Sequence, residues 1–120
     1  MKKVTTMLVL AIALTLNAIA PSYAGALGGR RYGEYTIRPF TTQTFQIAFR
    51  GGEYARVSVE GDGSTDLDLY IYDEWGRRVD SDDDDTDYCL TQWYVSGSAV
   101  YTVKIVNRGG YFNRYSIATN

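Results

Sequence analysis

Apolar and polar residues alternate along most of the chain from residue 34 onward. Because successive side chains of a β-strand point to opposite faces, this alternation predicts strands that bury one face. Turn signals rich in Gly, Asn, Asp and Ser separate the alternating stretches, and the 3.6-residue period of a helix is absent there. The predicted strands cover residues 35–37, 41–49, 54–60, 66–73, 77–80, 88–95, 99–107 and 111–118. Short strands at this spacing predict an all-β domain, either an antiparallel sandwich or a barrel.

The strand at residues 66–73 determines where two of its carboxylates point. Its apolar residues share one face: Leu67, Leu69 and Ile71. That face must be the core side, since a slip of one residue would bury the aspartates instead. Asp66 and Asp68 therefore point the same way, about 7 Å apart. Two carboxylates at this spacing repel each other unless a cation or an arginine lies between them.

The N-terminus has the three parts of a secretory signal peptide. Two lysines supply positive charge, residues 7–16 are apolar, and residues 22–24 (Ser-Tyr-Ala) form a small-x-small cleavage site. The apolar run is too short for a comfortable transmembrane helix. We therefore predict that residues 1–24 are removed before Gly25 and that the protein is secreted or periplasmic.

The remaining chain divides into a short entry segment and one domain. Residues 25–33 are glycine-rich and basic, and we expect a flexible segment there. Residues 34–120 form the predicted β-domain. Without the signal peptide the chain carries ten basic and fourteen acidic residues. This acidity argues against nucleic acid as a partner, and without a second hydrophobic run we expect no membrane insertion after cleavage. We expect a monomer.

Residue types exclude several kinds of catalysis. The chain has no histidine, which excludes histidine-based triads and most zinc sites. Cys89 is the only cysteine, and it shares a predicted face with Trp93, so we expect a core residue rather than a reactive thiol. The sequence contains no nucleophile paired with a base and no phosphate-binding loop. We therefore expect no enzymatic activity.

All ten aspartates lie between residues 62 and 87. Asp66 begins one strand and Asp80 ends its predicted antiparallel partner, so both acidic groups fall at the same edge of the domain. Clustered carboxylates are the ligands that Ca²⁺ prefers. The candidate calcium ligands are Asp62, Asp66, Asp68, Asp80, Asp82, Asp83 and Asp84. Two alternatives remain open: solvated aspartates that cap turns, or neutralisation by one of the arginines Arg77, Arg78, Arg108 and Arg114.

Three aromatic residues are candidates for contact with a partner. Trp75 lies at the tip of a predicted turn over residues 73–76, where a large ring is rarely buried. Tyr70 and Tyr72 are predicted on the outer face of their strand. Exposed rings can stack on sugars or anchor a protein, so a protein or a polysaccharide is a candidate ligand. Half-buried tyrosines are also ordinary strand residues, and this is the simpler interpretation of Tyr70 and Tyr72.

Five segments of the chain resemble, in order, the bacterial pre-peptidase C-terminal (PPC) domain family. They are residues 57–61 (V-x-V-x-G), 66–76 (DLDLYIYDEWG), 81–84 (SDDD), 96–107 (S-G-x-x-x-YTVKIVN) and 113–117 (NRYSI). The resemblance implies a jelly-roll-like β-sandwich of the kind found beside secreted peptidases. PPC domains are similar to collagenase collagen-binding domains, which bind calcium, so the resemblance also implies calcium binding.

These observations lead to one functional expectation and two alternatives. The chain is expected to be an exported, non-catalytic binding or stabilising module with a calcium site in its acidic loops. The first alternative is a metal-free structural protein of the periplasm or surface. The second is an accessory or inhibitory partner of an exported peptidase that binds through the turn at Trp75.

Overall fold

The computed structural model describes residues 25–120, and the predicted signal peptide lies outside them. These residues form eight strands separated by short loops. The strands are β1 (Tyr32–Ile37), β2 (Thr42–Phe49), β3 (Glu53–Glu60), β4 (Leu67–Tyr72), β5 (Arg78–Asp82), β6 (Tyr88–Val95), β7 (Ala99–Asn107) and β8 (Asn113–Thr119). Each falls within a residue or two of a predicted strand, except that β1 starts three residues earlier than predicted. None of the described residues belongs to a helix long and apolar enough to cross a membrane.

The strands form two four-stranded antiparallel sheets. Sheet A has the order β1-β8-β3-β6, and sheet B has the order β2-β7-β4-β5. The first strand therefore pairs with the eighth, the second with the seventh, the third with the sixth and the fourth with the fifth. This nested pairing is what results when one long antiparallel hairpin is rolled into two sheets, which is the jelly-roll arrangement. The predicted all-β sandwich is confirmed.

The core lies between the two sheets and is built from the predicted inward faces. Alternate residues of β3, β6, β7 and β8 are buried, while their neighbours face solvent. Phe49, Trp93 and Tyr101 pack with ring centroids 5.1–6.0 Å apart. Burying one large apolar side chain contributes roughly 1.5–3 kcal/mol, so these faces supply most of the stabilisation of the sandwich.

The entry segment is attached to the sandwich by backbone hydrogen bonds. Ala26 donates to the carbonyl of Asn120 at 3.0 Å and forms an isolated bridge with Phe49. Leu27 donates to the carbonyl of Ala48 at 2.9 Å. Since β1 begins at Tyr32, the predicted domain boundary at residue 34 falls inside a strand.

The predicted turn over residues 73–76 connects β4 to β5. The backbone N–H of Gly76 donates to the carbonyl of Asp73 at 3.0 Å, and Gly76 has a φ of +82°, a conformation that favours glycine. The Asp73 carboxylate accepts hydrogen bonds from the backbone N–H groups of Trp75 and Arg77, both at 2.9 Å. The turn is therefore fixed by its first residue as well as by its glycine.

Candidate functional site

Four loops meet at one end of the sandwich, and we call this surface the loop end. It comprises residues 38–41, 61–66, 83–87 and 108–112. Each of these loops crosses from one sheet to the other, so the chain returns to this end after every second strand. Backbone hydrogen bonds link the loops in series, from Phe40 to Gly109 (3.2 Å), from Arg108 to Asp66 (2.9 Å) and from Gly61 to Asp87 (2.9 Å). The loop end is therefore one connected surface.

Asp62 and Asp87 hold the second of these loops in place, Asp62 from within the loop and Asp87 from the third loop. Asp62 accepts hydrogen bonds from the Ser64 hydroxyl (2.5 Å) and from the Arg114 backbone N–H (3.0 Å), and these bonds lower its pKa. Asp87 accepts from the Gly63 N–H at 2.7 Å. A side chain at Gly61 would collide with the Asp87 carboxylate, which explains a glycine there. Both carboxylates thus stabilise loops, the capping role that the sequence left open.

Asp68 is more buried than its position on the outer face predicts. Its side chain is almost completely buried, because Arg108 reaches over it from the last loop. The Arg108 Nε donates to Asp68 Oδ2 at 2.6 Å, and an Arg108 Nη2 donates to the Tyr70 hydroxyl at 3.1 Å. These contacts raise the pKa of Arg108, chiefly through the hydrogen bond to Asp68. An arginine therefore neutralises this part of the acidic stretch, as one of the sequence alternatives proposed.

Asp66 lies beside this pair without comparable compensation. Burial raises its pKa first, and the neighbouring charges of Asp68, Asp85 and Asp84 raise it further. The Oδ1 atoms of Asp66 and Asp68 are both buried and have no hydrogen-bond partner among the residues that the structure describes. These two oxygens are the least satisfied polar atoms of the acidic stretch.

Asp80 and Asp82, two of the predicted metal ligands, lie between the edge strands of the two sheets. Both lie on β5, the edge strand of sheet B, and point toward β6, the edge strand of sheet A. Asp80 Oδ2 accepts from the Gln92 N–H, and Asp82 Oδ2 accepts from the Leu90 N–H, both at 2.8 Å. They therefore join the two sheets along one side and occupy backbone donors of an edge strand.

The rest of the acidic loop faces solvent. Asp83 and Asp84 are exposed, and Asp84 accepts hydrogen bonds from the backbone and hydroxyl of Thr86 at 3.0 and 2.9 Å. Between residues 25 and 120, the structure holds no group of three or more acidic or cysteine side chains arranged to bind a metal ion. The calcium site stays a prediction from the sequence.

None of the three predicted partner-binding aromatics belongs to the loop end, although the Tyr70 hydroxyl contacts Arg108 of that surface. Trp75 is strongly exposed at the opposite end of the sandwich, where the Arg77 guanidinium lies 5.0 Å from its ring centroid. Tyr70 and Tyr72 are half-buried on the outer face of sheet B. Their rings are covered by Arg78 and Lys104, whose charged atoms lie 5.6 and 5.2 Å from the ring centroids. The faces of the two tyrosine rings are thus covered by neighbouring cationic side chains.

The sequence reasoning missed three exposed aromatic residues at the loop end. They are Phe40, Tyr111 and Phe112, which we call the aromatic trio. Phe40 lies in a loop, where hydrophobic patterning gives no signal, and Tyr111 and Phe112 were assigned to the predicted strand at residues 111–118, which begins only at Asn113. The residue types offered a different signal. Large aromatic residues stand beside turn-forming Pro and Gly in Arg-Pro-Phe-Thr and Gly-Gly-Tyr-Phe-Asn, where a ring is not expected to reach the core.

The surface of the domain also has two shallow grooves that could hold a ligand. One of about 450 Å³ lies on sheet A beside the loop end and is lined by Tyr32, Glu34, Glu60 and Arg114 among others. The other, of about 420 Å³, lies between the edges of β1 and β2, beside Arg30 and Phe45. Neither groove brings together the candidate residues predicted from the sequence.

Comparisons with known proteins support the architecture. No protein-family model and no curated protein sequence matches the chain. Among solved structures, the fold is similar to that of PliG from Aeromonas hydrophila, described as a periplasmic lysozyme inhibitor of g-type lysozyme. The TM-score is 0.52 with 14% sequence identity, over 81% of this chain and 86% of PliG. At this identity the likeness establishes a shared fold alone, and membership of the PPC family stays a prediction.

Proposed function

We propose that the chain is an exported, non-catalytic protein-binding module that acts as an accessory or inhibitory partner of an exported enzyme. The observation that carries the proposal is the amount of aromatic surface left outside the core. Nine tyrosine, phenylalanine and tryptophan side chains are exposed in a domain of this size: Tyr32, Tyr35, Phe40, Tyr54, Trp75, Tyr88, Tyr94, Tyr111 and Phe112. Exposed aromatic side chains on rigid elements typically anchor protein partners.

The comparison with PliG supports the same class of function. PliG is a periplasmic inhibitor of g-type lysozyme, and its fold is similar to that of this chain over 81% of the chain. The predicted signal peptide would deliver the chain to the compartment in which such partners occur. Folds host many functions, so the likeness guides the choice of enzyme to test and does not replace the test.

The test is inhibition of defined enzymes. We expect the purified mature chain to reduce the activity of g-type lysozyme or of an exported peptidase at near-stoichiometric concentration. Size-exclusion chromatography should show the corresponding complex. The proposal is wrong if no such enzyme is inhibited and if the immobilised chain retains no exported enzyme from a periplasmic or culture-medium extract.

A further inference from the structure

The aromatic trio combines exposure with a fixed backbone. The exposed fractions of Phe40, Tyr111 and Phe112 are 74, 73 and 56%. Phe40 has a φ of +56°, a left-handed conformation that is a genuine outlier for a bulky side chain. The Phe40 ring lies 3.6 Å from the position that a Cβ on Gly110 would occupy, so the first loop lies against the last. A strained, exposed phenylalanine contributes nothing to the core.

Asn107 holds the two aromatic loops in place. Its buried side-chain amide donates to the carbonyls of Tyr111 (2.8 Å) and Arg38 (3.2 Å). Its Oδ1 accepts from the Gly109 N–H at 3.0 Å. The Ser64 hydroxyl oxygen also lies 2.8 Å from the carbonyl oxygen of Phe112, so the second loop packs against the last. Because the loops are ordered before any contact forms, a partner would lose little conformational entropy by binding them.

The loop end also carries the whole net charge of the domain. Its six carboxylates are Asp62, Asp66, Asp83, Asp84, Asp85 and Asp87, and its two basic residues are Arg38 and Arg108. That is a formal net charge of −4, the same as that of residues 25–120, which hold fourteen acidic and ten basic residues. The remainder of the domain therefore has eight of each sign. The excess negative charge of the domain therefore lies on the same surface as the aromatic trio.

We propose that the loop end is the docking surface of this module and that its partner is a protein with a cationic surface around an apolar pocket. This inference rests on the proposed function. The trio would fill the pocket, where buried aromatic anchors contribute most of the binding energy. The surrounding aspartates would attract the cationic rim and accelerate association. A polyanion would be repelled by the same aspartates.

Short random peptides displayed on phage, selected against the immobilised mature chain, test the proposal without knowledge of the natural partner. We expect enriched peptides to carry an excess of Lys and Arg together with large apolar residues. The test variant is Phe40→Ser/Tyr111→Ser/Phe112→Ser. The matched control is Tyr54→Ser/Trp75→Ser/Tyr94→Ser, whose rings have exposed fractions of 58, 71 and 54%. Circular dichroism and melting temperature establish that both variants are folded.

We expect the trio variant to lose at least about tenfold in affinity for the selected peptides and the control variant to change less than about twofold. A charge variant, Asp83→Asn/Asp85→Asn, should slow association and reduce its salt dependence, whereas Glu34→Gln/Glu74→Gln should not. The inference is overturned if no peptide is enriched, if enriched peptides are not basic, or if they bind the trio variant as well as the native chain. Failure here with enzyme inhibition intact would reject this surface and leave the proposed function standing.

Discussion

The carboxylate of Asp82 accepts the backbone N–H of Leu90 at 2.8 Å and so joins the edge strands of the two sheets. Asp80 makes the same kind of contact with Gln92. These aspartates, two of the predicted calcium ligands, close one side of the sandwich. An edge strand with unpaired donors is a template for aggregation, and carboxylates on those donors remove part of that template.

Replacing Asp82 with Ala should destabilise the fold and expose the β6 edge. The Leu90 N–H would lose a charged acceptor, and we expect a decrease of about 1 kcal/mol in the free energy of unfolding, because water can replace part of the bond. Urea unfolding and light scattering at rising protein concentration measure both effects. Asp82→Asn keeps a neutral acceptor, so its free energy of unfolding should lie between those of the native chain and Asp82→Ala. Asp83→Ala removes an exposed carboxylate and is the surface control. Equal stability of Asp82→Ala and Asp83→Ala would contradict the role of this contact.

Asp66 should make stability depend on pH in a direction opposite to that of most carboxylates. Its pKa is higher in the folded protein than in the unfolded chain, so it favours folding below the unfolded value of about 4. That contribution is lost as the pH rises through the folded-state pKa. We therefore expect Asp66→Asn to be more stable than the native chain near pH 7, with the difference disappearing toward pH 4. A difference in the free energy of unfolding that is constant with pH would refute this assignment.

The carboxylates of Asp66 and Asp68 allow a test of the predicted calcium site. The buried Oδ1 atoms of Asp66 and Asp68 are the oxygens to which a cation would bind. We predict that millimolar calcium raises the melting temperature relative to EDTA, and that Asp66→Asn abolishes the rise. Magnesium at equal ionic strength controls for screening. An unchanged melting temperature would mean that the calcium prediction is wrong.

Burial should make the Cys89 thiol inert in the folded state. Its side chain lies in the core, its Sγ is 3.2 Å from the carbonyl oxygen of Leu67, and burial raises its pKa to about 12. The thiol therefore stays protonated at neutral pH, and the thiolate is the reactive form. We expect a thiol reagent to modify Cys89 only as fast as the protein opens, with rapid modification in denaturant. Rapid modification of the native chain would contradict the core position.

The sequence predicted the sandwich well because strands carry their burial pattern locally. Alternation in β3, β6 and β7 is enough to identify the inward face, and the structure confirms it. The candidate site was harder, since it depends on contacts between loops distant in the chain. Nothing local to Asp68 indicates that Arg108, forty residues later, covers it. Phe40 gave no periodic signal because it lies in a loop, which Asn107 holds through the backbone carbonyl of Arg38.

The ion pair of Arg108 and Asp68 should be the most sensitive contact at the loop end. Removing the arginine leaves a carboxylate that is almost completely buried without its cation, whereas the Arg108 side chain itself is half exposed. We expect Arg108→Ala to lower the free energy of unfolding by about 2 kcal/mol. Asp68→Asn in the same chain should recover part of that loss, because the uncompensated charge is gone. A double-mutant cycle by urea unfolding measures the coupling, and additive effects of the two substitutions would show that the pair contributes no specific stabilisation.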